Sequence, residues 1–343
     1  MRSIALRLAL VSMVAAIGCS GERALAPKAG TTGQLSDLPP ESFADYSRVS
    51  LPGSETAVAL NDSGDVVGAT ASGGVLWHGA LHERIALPII PTAIANDGTV
   101  AGSVDGHAAT WKSGRVTILD TATSVALAIC RCESATVVGS VQVDGVTHAA
   151  IWVDGIPIDA GLPPSSSHAE FSSIAAGFIV GNAIVHQPDP RAGGFADLEA
   201  PYSWSHSGGW RPLIFGQLSV GAITSLNSHG FAVGVGAGPN AFTTIRGILF
   251  DLAAGTAQDE YPINQTIINI LPTGINDSNL VSATAYFSPQ ETGPQGTIAL
   301  VGSVGGGLIL PPGVLGDQAL GINSAGVIAG QSNNLPVLWV PNA

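Results

Sequence analysis

Asn61-Asp62-Ser63-Gly64-Asp65-Val66-Val67-Gly68 decides the fold, because the chain keeps returning to it. It recurs as Asn96-Asp97-Gly98 followed by Val100-Ala101-Gly102, with one residue fewer in the turn. It recurs again as Asn227-Ser228-His229-Gly230-Phe231-Ala232-Val233-Gly234 and as Asn323-Ser324-Ala325-Gly326-Val327-Ile328-Ala329-Gly330. A weaker copy is Asn276-Asp277-Ser278-Asn279-Leu280-Val281. Self-similarity at this spacing marks a tandem-repeat architecture. Each copy reads as a β-hairpin turn. Asn can accept a hydrogen bond from the backbone two residues on. Gly at the fourth place suits a left-handed residue, and Asn279 is the next most tolerant substitute there. The short apolar run after the turn is a buried strand, and its Gly marks close approach of a neighbouring backbone.

Each unit continues to an aromatic strand. Val75-Leu76-Trp77, Ala109-Thr110-Trp111, Ala150-Ile151-Trp152, Tyr202-Ser203-Trp204, Ile248-Leu249-Phe250 and Val337-Leu338-Trp339 occupy one slot, and Trp210 is the sole Trp outside it. Segments such as Arg84-Ile85-Ala86-Leu87 close the unit, which makes four short strands per repeat. Five units carry the Asn turn. Two degenerate ones, at Val125 to Ser140 and Ser173 to Gly181, fill the gap between Asn96 and Asn227.

The seventh unit stops at Trp339-Val340-Pro341-Asn342-Ala343 without a closing strand. Tyr46-Ser47-Arg48-Val49-Ser50-Leu51-Pro52, ahead of the first unit, aligns with the closing strand His82 to Pro88. An N-terminal strand that completes the last unit closes a ring and removes free sheet edges. The fold expected is therefore all-β, a seven-bladed β-propeller of four-stranded blades, with six or eight blades as the alternatives. The blades fall at about 54–88, 89–122, 123–164, 165–216, 217–264, 265–314, and 315–343 completed by 43–53, in a single domain from 43 to 343.

Residues 1–18 read as a signal peptide. Arg2 and Arg7 precede an apolar run from Leu8 to Ile17, too short to span a bilayer. It ends in Ala16-Ile17-Gly18-Cys19, which resembles a bacterial lipobox and implies lipidation at Cys19. Residues 19–42, rich in Ala, Gly, Thr, Ser and Pro, read as a flexible tether. The expected location is the bacterial cell envelope, lipid-anchored at the outer membrane or cell surface, with simple secretion as the alternative. Gly-x-[Val/Ile]-[Val/Ala]-Gly, together with His107-Ala108-Ala109-Thr110-Trp111 and His148-Ala149-Ala150-Ile151-Trp152, resembles the bacterial extracellular HAF repeat, with Ala where that family has Phe. The resemblance covers about residues 44–343. It implies secretion and a propeller-like scaffold, and it implies no particular activity.

Only 11% of residues are charged, 45% are hydrophobic, and 44 of 343 are Gly. A disordered chain would be more charged and less apolar. The formal net charge of −13, with no basic cluster, excludes a nucleic-acid binder. The only membrane contact expected is through the lipid, and the chain reads as a monomer.

No nucleophile elbow, phosphate loop or dinucleotide fingerprint is present. The Asn61 to Asp65 turn lacks the spaced carboxylates of a calcium loop, and it recurs without Asp at Asn323 to Gly326. His107 and His148 hold equivalent places in adjacent units, which favours packing over ligation of one metal. No metal and no cofactor are expected. Cys130 and Cys132 form either a local disulfide or a pair of free thiols.

The units differ in length at one topological place, between the second and third strands. Units four, five and six carry extra residues at about Asn182 to Pro201, Val235 to Gly247 and Thr284 to Gly296. Insertions into repeats commonly map to a binding face. The wall they would build carries His186, Arg191, Phe195, Tyr202, Asn240 and Phe242. It continues with Arg246, Tyr286, Phe287 and Gln290. Aromatic and Arg side chains among amides suit recognition of a protein or polysaccharide. The composition favours binding over catalysis. An exported glycan hydrolase or lyase, and a purely structural envelope protein, are the alternatives.

Overall fold

The structure is a computed structural model that describes residues 46–70, 73–79, 81–131, 135–188, 194–213, 221–237, 245–261, 267–287, 296–305, 307–309 and 316–342. The signal segment, Cys19 and the tether lie outside these residues. The described residues form seven four-stranded antiparallel sheets and no helix, arranged as a seven-bladed β-propeller.

β1 (Tyr46–Ser50) precedes the first blade. That blade is β2 (Thr56–Leu60), β3 (Val66–Ala69), β4 (Gly74–His78) and β5 (Glu83–Leu87). Blade two is β6 (Ile90–Ile94), β7 (Val100–Val104), β8 (His107–Lys112) and β9 (Arg115–Ile118). Blade three is β10 (Ser124–Arg131), β11 (Ala135–Val143), β12 (Val146–Val153) and β13 (Ile156–Gly161). Blade four is β14 (Ser166–Ala175), β15 (Phe178–Pro188), β16 (Phe195–Ser205) and β17 (Gly209–Pro212). Blade five is β18 (Gly221–Leu226), β19 (Phe231–Ala237), β20 (Ile245–Asp251) and β21 (Thr256–Tyr261). Blade six is β22 (Ile267–Ile275), β23 (Leu280–Phe287), β24 (Thr297–Ser303) and β25 (Gly307–Ile309). Blade seven is β26 (Asp317–Ile322), β27 (Ile328–Ser332) and β28 (Leu335–Pro341), with β1 added as its outermost strand.

β1 pairs antiparallel with β28, Tyr46 opposite Pro341 and Ser50 opposite Val337. Leu51 N–H extends the ladder to the Pro336 carbonyl at 3.0 Å. The first strands of consecutive blades touch all the way round, including β2 against β26.

All seven first strands carry a β-bulge at one place, at Val58, Thr92, Leu127, Ser172, Thr224, Thr273 and Leu320. The residue facing the bulge from the second strand is Gly in six blades, and Ala283 in the sixth. At Gly102, Gly139, Gly181, Gly234 and Gly330 a Cβ would overlap a first-strand carbonyl oxygen. The glycine that ends the sequence motif is therefore the counterpart of the bulge.

The aromatic slot seals each blade against the preceding one. Trp77 packs with Ala329 and Leu338 of blade seven. Trp339 packs with Ala299 and Val301 of blade six, and Phe250 with Ala175 and Val180 of blade four.

The turn residues do more than reverse the chain. Oδ1 of Asn61, Asn227, Asn276 and Asn323 accepts the N–H four residues on, at 2.9 to 3.0 Å. Nδ2 donates to a carbonyl of the next blade. Asn227 reaches Asn276 O at 3.1 Å, Asn276 reaches Asn323 O at 2.8 Å, and Asn323 reaches Asn61 O at 3.0 Å. Asn61 continues to Ala95 O at 3.2 Å. This buried chain crosses the ring closure between blades seven and one.

Two local readings change. In blade two, Ala95 N–H binds Thr99 O and Gly98 N–H binds Ala95 O, as Asn61 and Gly64 do in blade one. Ala95 therefore holds the Asn61 place, the turn is not shortened, and Asn96 is the counterpart of Asp62. In blade three, the register puts Cys130 in the same place. Cys130 is disulfide-bonded, while Cys132 lies outside the described residues.

Candidate functional site

The meander gives the ring two faces. The Asn turns and the links between third and fourth strands lie on one, the turn face. There Asp65 Oδ1 joins them, accepting from Gly79 N–H at 3.0 Å and meeting His78 Nδ1 at 2.8 Å. The hairpins between second and third strands lie on the other, the hairpin face. Blade four outruns its neighbours there. β15 and β16 are 11 residues each, against 4 and 5 for β3 and β4.

The extra length of blade four makes a three-stranded extension with two faces set by side-chain alternation. Ala169, Ala183, Ala200, Phe171 and Tyr202 face blade three and join its core. Trp210, the Trp outside the repeat slot, stacks on Phe171 at 5.0 Å and donates Nε1–H to Ala160 O of blade three at 3.0 Å. Tyr202 is only 7% exposed, with its ring edge-on to Trp210 at 5.9 Å. Tyr202 is thus a core residue rather than part of a binding wall, and burial pushes its phenol pKa up.

The opposite face looks at blade five. Asn182 fixes that orientation, exchanging two hydrogen bonds with the Ile223 backbone at 2.8 and 3.2 Å. Moving outward, the register sets Glu170 beside Asn182, then His168, Ile184 and Glu199 in one row, then His186 beside Asp197. Phe195 stands beyond them, 66% exposed. Its ring stacks on His186 with centroids 5.5 Å apart and planes 15° apart. Asp197 Oδ1 holds His186 Nδ1 at 2.9 Å. The outer end of this face is therefore an aromatic plate with a fixed backing.

Below the plate sits a carboxylate pair. His168 Nε2 is 3.8 Å from Glu170 Oε2. Burial foremost, and the neighbouring Glu170 carboxylate, push Glu199 up to about 7, with His168 partly opposing. Near pH 7 the Glu199 carboxyl is about half protonated, so it can donate as well as accept a hydrogen bond. Arg246 shares its sheet face with Ile248 and Phe250, both packed on blade four. It therefore stands on the side of blade five turned towards the same crevice.

Of the residues picked from the sequence, the structure brings His186, Phe195 and Arg246 to the crevice between blades four and five. Tyr286 lies on the other side of the ring sector. Its sheet face is that of Thr284, which bonds Ala319 of blade seven at 3.1 Å. Phe287 ends β23, and Arg191, Asn240, Phe242 and Gln290 lie outside the described residues. Glu170, Glu199 and His168 were not legible as a site, because Glu170 belongs to no insertion and meets Glu199 only through strand extension.

A second concavity, of about 390 Å³, lies between blades two and three, lined by Asp120, Gln142, Asp144 and Asp159 among others. Two of its carboxylates serve the fold. Asp159 meets His148 Nδ1 at 3.0 Å and accepts Gly161 N–H at 2.7 Å, and Asp120 accepts Ala122 N–H at 2.9 Å. His107 Nδ1 is 2.9 Å from the Ala122 carbonyl. The two equivalent histidines are each held within the scaffold. Among the described residues, no group of three or more His, Cys, Asp or Glu could hold a metal ion, and no helix is long and apolar enough to cross a membrane.

No protein-family model matches the sequence, and no curated protein matches it. Solved structures do share the fold. A chain of the crystal structure of a mitotic checkpoint complex matches with TM-score 0.53 at 12% identity, covering 94% of this chain and 100% of its own. An acylaminoacyl peptidase from Pyrococcus horikoshii matches with TM-score 0.49 at 13% identity, over 84% of this chain and 49% of its own. A xyloglucanase from Xanthomonas campestris matches with TM-score 0.47 at 13% identity, over 77% and 46%. At these identities the likeness is one of fold alone.

Proposed function

We propose that the chain is an envelope lipoprotein, anchored through Cys19, whose propeller binds an extracellular protein or polysaccharide on its hairpin face. The observation that carries this reading is Phe195. This large apolar ring is two-thirds exposed, lies outside the core clusters and stacks on His186. Aromatic side chains, Phe among them, are enriched in the cores of interfaces. The entry of the chain supports the same reading. β1 starts at Tyr46 beside Pro341 and the Asn323–Gly326 turn, on the turn face. The residues ahead of Tyr46, Cys19 among them, therefore join the ring on the side opposite the plate. The HAF-repeat resemblance supports export.

Two measurements test this. Mass spectrometry of the membrane-extracted protein should find an acylated N-terminal Cys19, and Cys19→Ser should move the protein to the soluble fraction. Purified mature protein should bind one member of a panel of envelope polysaccharides and secreted proteins. His186→Ala with Phe195→Ala should weaken that binding at least tenfold while thermal stability stays unchanged. Equal binding by the double variant overturns the reading.

Glu170 and Glu199 favour a second reading, an exported glycan hydrolase. A protonated carboxyl beside a carboxylate is the pair that acid–base cleavage of a glycosidic bond uses. Release of reducing ends from a polysaccharide near pH 6, abolished by Glu199→Gln, is its test.

A further inference from the structure

We infer that the ligand of the hairpin face is a neutral carbohydrate chain, seated along the blade-four face from Phe195 down to Glu170 and Glu199. The inference rests on the binding reading above and narrows its ligand to one chemical class. Three features carry it.

The first is the plate. A sugar ring presents a face of C–H bonds, and an exposed aromatic ring held flat and rigid is the surface that such a face packs on. Phe195 stacks on His186, and His186 in turn meets Asp197. A protein ligand would call for a surrounding apolar surface to complete a buried core. Here the plate is followed by His186, Asp197, His168, Glu199 and Glu170 on one face.

The second is the hydrogen-bonding set. Neighbouring sugar hydroxyls each donate and accept. A carboxylate accepts two such bonds, and a protonated carboxyl both donates and accepts. Burial and Glu170 keep Glu199 protonated up to about pH 7, so below that pH its carboxyl can both donate to and accept from a sugar hydroxyl.

The third is length and charge. Phe195 and Glu199 are four residues apart along one strand, about 14 Å at 3.4 Å per residue. That is roughly the length of a trisaccharide. Carboxylates along the way, and a net charge of −13 over the whole chain, oppose uronic or sialic acids. Arg246 stands across the crevice.

The test is calorimetric titration of the full mature protein with cellohexaose, maltoheptaose, mannohexaose and xylohexaose, with polygalacturonate as the acidic comparison. At least one neutral oligomer should bind, with affinity rising from dimer to trimer and then levelling. Phe195→Ala and Glu170→Gln should each weaken it tenfold or more at unchanged melting temperature. Tyr202→Phe, in the core on the other face, should bind as the wild type does. Absence of binding to every neutral oligomer overturns the inference, as does preference for polygalacturonate. If Phe195→Ala instead abolishes binding of a protein from the panel, the hairpin face remains the binding face and only the carbohydrate assignment fails.

Discussion

In the four blades whose turn begins with Asn, both ends of its amide are used. Oδ1 holds its own turn and Nδ2 holds the next blade, and Asn323 is 1% exposed while doing so. Asn323→Ala leaves two buried backbone partners unsatisfied and should cost about 2–4 kcal/mol in chemical denaturation. Asn323→Asp should cost at least as much, since an ionised carboxylate would face the Asn61 carbonyl. Equal stability of the Asp variant would remove the blade-to-blade bond from the account. The turn itself is legible in the sequence, because its partners are four residues away. Its second bond is not, because the acceptor is a whole blade away in sequence. The same limit explains blade two, where a shared Asn-Asp-Gly string hides a frame offset by one residue. Glu199 gives a pH prediction. Its folded pKa is raised, so its contribution is full below the ordinary carboxylate range and is lost as pH rises through about 7. Glu199→Gln keeps the protonated shape. It should melt about 2–5 °C above the wild type at pH 8 and level with it at pH 4.

A strand carries two faces, and the sequence locates an insertion more readily than it assigns those faces. The extra residues between second and third strands do form the long β15–β16 hairpin. Within it, Phe195, Asp197 and Glu199 look at blade five, while Tyr202, of opposite parity, looks at blade three. Bulges shift that parity, and the one between Phe171 and Ser173 lies in the strand that carries Glu170. The hairpin should be separable from the fold. Replacing residues 186–197 with Asn-Gly would join Val185 to Leu198, which already face each other, through a two-residue turn. Melting should fall by no more than about 3 °C, whereas binding should be lost. β1 is the contrary case. Deleting Tyr46–Ser50 uncovers the backbone edge of β28, so light scattering should report association or aggregation and melting should drop.

On the scale of the molecule, ring closure and face are linked. The ring is legible in the sequence because the missing strand at one end and the spare strand at the other are both visible. Which face β1 starts from is not, because it depends on the direction of β28. Ser63, in the turn of blade one, and Asp144, at the hairpin of blade three, mark the two faces. On intact cells a membrane-impermeant maleimide should label Asp144→Cys faster than Ser63→Cys. The opposite order would place the hairpin face against the membrane.

The pairing of β1 with β28 also sets an order of events. β1 is the first of the 28 strands to be synthesised and the last to find its partner, almost three hundred residues later. Until Pro341 is available, six blades can form as a curved stack of local meanders, but the seventh cannot be completed. Closing a flexible chain of that length would cost about 5 kcal/mol of entropy, and the six blades, once formed, lower that cost by holding the two ends near each other. The Asn323–Asn61 and Ser324–Asp62 bonds across the seam help offset it. A chain stopped anywhere in blade seven would carry an unpaired first strand and an open ring. Completeness of blade seven is thereby checked by the fold itself, at β1.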